Sequence, residues 1–241
     1  MIAYMGGKFR LKGDLVPILE NSILELGGDY YEPFVGGGWI VSNITPSICK
    51  RFASDNNPYL IALYKAVQQG WEGPNHISEE EYIHIKNNKS DYPPELVAFA
   101  GFGCSFGKKW FGTYARDGST YKQVNYADRL KRGLAKRKHL IEGVEFRCVN
   151  YYDLEIPPNS TIYCDPPYKG VTGYSGSGSK FNHEDFYDWC CSFSNDINIF
   201  ISEYDMPDDR FDCVFEKNQN VRLNNQTKIT HKVERLFIPK R

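Results

Sequence analysis

No apolar run in this chain approaches the roughly 18–20 residues that span a bilayer. The first ten residues, MIAYMGGKFR, lack the apolar stretch of an export signal. A cytoplasmic protein is expected from both absences. Paired Cys-x-x-Cys spacings are missing as well: the seven cysteines stand at 49, 104, 148, 164, 190, 191 and 213. An odd, unpaired set argues for reduced thiols over a disulfide framework. The five histidines are scattered and none forms His-Glu-x-x-His, so no bound catalytic metal is expected. Neither Gly-x-Gly-x-x-Gly nor Gly-Lys-Ser/Thr occurs, which disfavours a nucleoside triphosphate site.

What the chain does have is length for one full core plus an inserted segment, at 241 residues. Aromatics reach 15%, with 17 Tyr and 15 Phe, enough for a dense core or for stacking surfaces. The net charge of −1 names no partner, but its distribution is uneven. Residues 108–140 carry ten Lys or Arg against Asp117 and Asp128, a local +8. Such segregation fits the footprint of a polyanion, and equally a solvated helical face with extended Lys and Arg stems.

The order of elements is informative. Residues 10–26 have helical spacing with Pro17 in the first turn or at a kink, and Gly27-Gly28 stops them. DYYEPFV (29–35) reads as a strand, Gly36-Gly37-Gly38 as a turn, WIVSNI as the helix it feeds, and KRFASD (50–55) as a strand closing on an acid. A helix follows at 58–70. Strand, glycine turn, helix, strand with terminal acid is the opening of a nucleotide-binding α/β unit. The pattern then changes to helices: 78–89 with a Ser78–Glu81 capping box, a second at PPELVAFAGFGC, an irregular aromatic stretch at 105–124, and a basic helix at NYADRLKRGLAKRKHLIEG. Alternation resumes with strands at 144–150, 160–165 and 197–202, a helix after Asn182, and further strands at FDCVFEK and VERLFIP. The Gly/Ser-rich stretch 173–181 reads as a flap beside the last motif described next.

Three constellations carry chemistry. In YEPFVGGG (31–38) the glycines let backbone approach a ligand, and Asp55, 17 residues after Gly38, stands where such folds hold a ribose diol. A tight turn with a capping Asp explains those residues as well. AYMGGK (3–8), taken alone, is a flexible start. TIYCDPPYKG (161–170) is different, because Asp-Pro-Pro is stiff and follows a β-prone run. An exocyclic base amine is a poor nucleophile, its lone pair being delocalised into the ring. Two fixed acceptors, the Asp165 carboxylate and the Pro166 carbonyl, would turn that lone pair outward, with Pro167 adding rigidity and Tyr168 a flat face for an extruded base.

These motifs together resemble the DNA adenine methylase (Dam) family of adenosylmethionine-dependent N6-adenine methyltransferases. AYMGGK is similar to its N-terminal cofactor motif, EPFVGGG to its glycine motif, SDNNPYLI to its ribose-acid motif, CVNYYD (148–153) to the segment near the cofactor adenine, and KVERLFI to its C-terminal strand. DPPY matches in full. FISEYD (200–205) resembles its Ser-Asn-x-Asp element, with Glu203 and Tyr204 in place of the usual pair. The resemblance implies a Rossmann-like α/β sheet, residues 1–59 and 143–241, interrupted by a mainly helical recognition domain, residues 60–142. It implies S-adenosylmethionine as cofactor, with Tyr4, Lys8, Phe34, Gly36 and Gly38 on its methionine side, Asp55 on the ribose, and Asn150 and Tyr151 near the adenine. Asp165, Pro166, Pro167 and Tyr168 would hold the target base, Asp165 also bordering the cofactor. Lys108, Lys109, Trp110, Arg116, Arg129, Lys136, Arg137 and Lys138 would meet double-stranded DNA, with Phe111 and Tyr114 as further base contacts; for the aromatics Trp110, Phe111 and Tyr114, core packing is the alternative. Neither metal nor membrane is implied; a companion restriction enzyme, in a bacterial or phage-infected cell, fits the same activity. Residues 105–124 lack the Asn-Val-Pro hairpin of relatives that read GATC, so the sequence leaves the recognition site open. The alternatives are cytosine N4 as acceptor, a protein or RNA acceptor, or a binding module without turnover.

Overall fold

A computed structural model describes residues 2, 4, 6–116, 124–169, 181–222 and 229–241, the side chains of 219–222 and 229–232 excepted. The first helix, α1 (Lys12–Leu26), buries Leu15, Leu19, Ser22 and Ile23 on one face and ends where Gly27 turns left-handed at φ 74°. Pro17 lies inside it. Strand β1 (Tyr30–Glu32) follows, then β2 (Arg51–Asp55) and α2 (Pro58–Gln68), whose start is fixed by the Asn57 side chain accepting from Tyr59 and Leu60 N–H. Three helices come next: α3 (Glu79–Asn87) with the expected capping box, α4 (Pro94–Ala98), which runs on as a π-turn Phe99–Gly103, and α5 (Tyr126–Arg137). The remaining elements are β3 (Val144–Cys148), β4 (Thr161–Cys164), α6 (His183–Cys191), β5 (Asn198–Glu203), β6 (Phe211–Arg222) and β7 (Ile229–Pro239).

One expected helix is a correction. WIVSNI forms only a 3-10 turn at Val41–Asn43. The Asn43 amide donates to the Trp39 carbonyl at 2.8 Å, competing with a helical N–H for that acceptor. Pro46 then disfavours helical backbone at the residue before it.

The seven strands make one sheet in the order β3-β2-β1-β4-β5-β7-β6. All neighbours through β5 run parallel; β7 is antiparallel to both β5 and β6. Every residue of β1 and β4 is buried, as a central strand covered on both faces requires. Successive side chains go to opposite faces: Tyr30 joins the core with α1 and α2, and Tyr31 joins Ile162, Phe186 and Tyr187 beneath α6. The helical segment shares the first of these cores, through Val97, Phe99, Phe102 and Leu134. The boundary expected at residue 60 therefore falls within α2, which packs on the sheet. No helix among the described residues is long and apolar enough to cross a membrane.

Candidate active site

Chain order reverses between β1 and β4, which pair in register Tyr30↔Thr161 and Tyr31↔Ile162. At such a switch point the loops leaving the two strands diverge and open a crevice at their carboxyl ends. The glycine turn leaves β1 and the Asp165 tetrapeptide leaves β4, so both motifs border one crevice.

The glycine turn is tied on two sides. Gly36 N–H donates to Asp55 Oδ2 at 3.2 Å, and the Tyr64 hydroxyl donates to the Gly36 carbonyl at 2.8 Å. Gly36 and Gly38 sit at φ 41° and 67°, a conformation that side chains disfavour. A Cβ at Gly36 would also come within 3.1 Å of the Tyr4 ring. Asp55 further accepts the Asn57 N–H at 3.0 Å. Burial pushes its pKa up to about 6, against the pull of those backbone donors. No described cation pairs with it. Beside the turn, Phe34 packs on Tyr151 (5.4 Å between centroids), and both rings meet Phe186 edge-on. Asn150 opens the 3-10 turn Tyr151–Asp153 and is half-buried.

Across the crevice, Lys8 is 6% exposed, and its Nζ lies 2.6 Å from Asp165 Oδ1 and 3.1 Å from Glu234 Oε1. Burial alone would lower the ammonium's pKa; Asp165 and Glu234 outweigh it and hold the group charged. That same Glu234 Oε1 accepts the Tyr168 hydroxyl at 2.5 Å. The Tyr168 ring stands 4.7 Å from Lys8 Nζ and edge-on to Tyr204 at 4.6 Å. Glu203 accepts the N–H of Lys169 at 3.1 Å and of Tyr204 at 2.8 Å, and burial lifts its pKa to about 7. His183 Nε2 is 3.0 Å from the Pro167 carbonyl.

The motif residues thus come together, with one change of partner. Lys8, expected beside the cofactor's methionine, directs its ammonium to Asp165 and Glu234. Glu234 itself escaped sequence reasoning, where KVERLFI served only as a strand. The available signal was an acid embedded in an apolar strand, which requires a partner when buried. Glu32, whose pKa burial raises to about 8, is a second such acid, accepting the Tyr30 hydroxyl at 2.8 Å.

The residues expected to meet DNA divide into two sets. Trp110 is wedged among Phe102, Phe111 and Tyr59, Phe111 is buried, and the Tyr114 hydroxyl donates to the Ile77 carbonyl at 2.7 Å. Arg116 makes a two-pronged bond to Glu79 at 2.9 and 2.6 Å. Arg137 lies over the Trp39 ring at 5.3 Å and donates to the Gly133 carbonyl. By contrast Lys108, Lys109, Arg129, Lys136 and Lys138 are exposed and make no ion pair among the described residues. Phe106 is also 65% exposed, and sequence reasoning passed over it. Its turn is ordered by the Phe106 N–H to Thr113 carbonyl bond at 2.7 Å and the Ser105↔Tyr114 bridge. Residues 117–123 and the expected flap at 173–181, apart from Phe181, lie outside the described residues. No cluster of three or more His, Cys, Asp or Glu able to hold a metal occurs among the described residues.

Residues 4–229 match the family of D12 class N6 adenine-specific DNA methyltransferases. The chain is similar to the DNA adenine methylase of two strains of Vibrio cholerae serotype O1, 25% identical over 205 residues, 73% of this chain and 70% of theirs. It is also similar to the Type II methyltransferase M.FokI of Planomicrobium okeanokoites, 22% identical over 213 residues, 77% of this chain and 31% of that one.

Proposed function

Because the chain belongs to the D12 class of N6 adenine-specific DNA methyltransferases, we propose that the crevice at the β1/β4 switch point binds S-adenosylmethionine and that Asp165–Tyr168 grip the adenine it methylates. The reaction is methylation of adenine N6 in DNA. Bound in the crevice, the cofactor supplies an electrophilic methyl group on a cationic sulfur. The residues present suit it. Asp55 is buried without a cation, so its free lone pairs take neutral hydroxyl donors such as a ribose diol. Phe34 and Tyr151 offer apolar faces, Asn150 is the residue before Tyr151, and the glycine turn, with the Tyr4 ring packed on Gly36, would border the methionine end.

Asp165 Oδ1 is engaged by Lys8, which leaves Oδ2 to accept one N–H of the target amine. The Pro166 carbonyl accepts the other, and Pro166-Pro167 hold both acceptors in place beforehand. With both N–H bonds fixed, the nitrogen lone pair points out of conjugation toward the donor side of the crevice. The nitrogen gains a methyl group and releases one proton. The base must leave the duplex to reach this position. Residues 60–142 supply the DNA face: Lys108, Lys109, Arg129, Lys136 and Lys138 for phosphates, and Phe106 as an apolar wedge for the disturbed stack. Trp110, Phe111 and Tyr114 support that face from beneath.

The observation that carries this reading is the Lys8–Asp165 contact, which anchors the acid at the crevice the glycine turn borders. The test is DNA from cells expressing the chain, digested to nucleosides. N6-methyladenine is expected from the wild type. Asp165→Ala should melt as a folded protein and lose on the order of 10²–10³-fold in rate. N4-methylcytosine as sole product, or unchanged turnover in Asp165→Ala, overturns it.

A further inference from the structure

The tetrapeptide after β4 is held by side chains from three separate parts of the chain, Lys8 before α1, His183 opening α6 and Glu234 in β7, and Glu203 closing β5 accepts the N–H of Lys169, the next residue. Two prolines restrict backbone φ at 166 and 167, but they leave the Asp165 carboxylate free to rotate and the Tyr168 ring free to swing. Both freedoms meet at one atom. Glu234 Oε1 accepts the Tyr168 hydroxyl at 2.5 Å and lies 3.1 Å from Lys8 Nζ, which in turn grips Asp165 at 2.6 Å.

We propose that Glu234 is a positioning residue for methyl transfer, fixing the Tyr168 ring directly and the Asp165 carboxylate by way of Lys8. It has this role only if Asp165–Tyr168 grip the target base, as proposed above. Sheet stability is a poor explanation for the acid. Glu234 pairs with Lys217 on β6 at a point past the last β5–β7 pair, Glu203↔Arg235, where the sheet has narrowed to a hairpin. A buried acid there is costlier than an apolar residue of the same size. The charge has a specific use. Two carboxylates share one ammonium, so Lys8 is not spent wholly on Asp165, and the Asp165 carboxylate keeps acceptor strength for the amine. A neutral residue at 234 would shift the full ammonium onto Asp165. The Tyr168 hydroxyl would then lose its Glu234 acceptor or keep a weaker one.

The measurements are single-turnover transfer of labelled methyl to unmodified plasmid DNA, S-adenosylmethionine affinity by calorimetry, and thermal melting. Glu234→Ala should slow transfer on the order of 10–100-fold, the scale of a small misplacement at a reacting centre, with cofactor affinity changed less than about twofold. Glu234→Gln, which still accepts from Tyr168, should fall between Glu234→Ala and wild type. Tyr168→Phe should also slow transfer, and the double variant Tyr168→Phe/Glu234→Ala should be less impaired than the product of the two single losses. A wild-type rate in Glu234→Ala, strictly multiplicative losses, or a loss confined to cofactor affinity overturns the proposal. Should Glu234→Ala fail to fold, Glu234→Gln and Tyr168→Phe decide, and wild-type rates in both are refutation. A wild-type protein that methylates no adenine would instead remove the functional reading itself.

Discussion

At the carboxyl edge of the sheet, Lys8 is almost wholly buried and shared between Asp165 and Glu234, while on the 105–116 turn and at the end of α5 Lys108, Lys109, Lys136 and Lys138 stand in solvent with no ion pair among the described residues. The same side-chain type does opposite work in the two regions. Inside, an ammonium fixes geometry, because leaving any one of the three charges alone in a low-dielectric setting is expensive. Outside, on the proposed DNA face, ammonium groups would be interchangeable and act through their sum, as binding to a phosphate backbone requires. The contrast predicts that single substitutions at the edge are severe and that those on the face are mild.

The largest expected effect is therefore on Lys8. Lys8→Met keeps much of the stem and removes the charge, leaving the half-buried Asp165 and the buried Glu234 without their shared ammonium. A loss of about 3–5 kcal/mol is expected at neutral pH, read as a lower midpoint in denaturant. The loss should shrink as pH falls. Burial raises the Asp165 pKa, and Lys8 no longer opposes it. The variant's native state then binds protons more readily than its unfolded chain, and gains stability toward acid. Wild-type stability at neutral pH would mean the two acids are solvated, and the contrast between the regions would disappear.

Asp55 comes second. Losing two hydroxyl bonds to a carboxylate, Asp55→Ala should weaken S-adenosylmethionine binding on the order of 10²-fold. Wild-type affinity should itself fall as pH drops through about 6, where burial places the Asp55 pKa, because the protonated acid is a poorer acceptor. Donors on the bound cofactor favour the ionised form, so the bound pKa is lower and the fall is toward acid, not base. Titration calorimetry between pH 5 and 8 reads this directly. A flat profile would detach Asp55 from the cofactor.

Motif residues were legible at the edge because backbone constraint writes itself into residue type. Gly36 and Gly38 need positive φ, Asp55 closes a strand, and Asp-Pro-Pro announces a rigid exit from β4. Their partners were harder to see. Glu234 is one acid within a strand, and only the register of β7 against β5 and the long-range approach of Lys8 give it a role. On the proposed DNA face, residue type left base contact and core packing open for the aromatics. Trp110 and Phe111 belong to the packing beneath the turn, while Phe106, written into the same aromatic stretch, is the ring left outside. Composition cannot distinguish them, because burial depends on which way the Ser105–Tyr114 turn folds back. The helix expected at WIVSNI failed for a local reason, a side-chain amide competing for a main-chain acceptor.

The smallest effect separates neighbours within one basic run. Lys136 and Lys138 are exposed, whereas Arg137 is held by the Trp39 ring and the Gly133 carbonyl. If each exposed lysine neutralises one phosphate, replacing Lys136, Arg137 and Lys138 together by Ala should flatten the plot of log affinity against log salt by about 1.8, two contacts at about 0.9 each. Arg137→Ala alone should leave the slope unchanged while costing some stability through lost packing on Trp39. Fluorescence anisotropy with duplex DNA across a salt series measures both. A change of about 2.7 would enlist Arg137 as a phosphate contact, and no change would return the whole run to an ordinary solvated helix face.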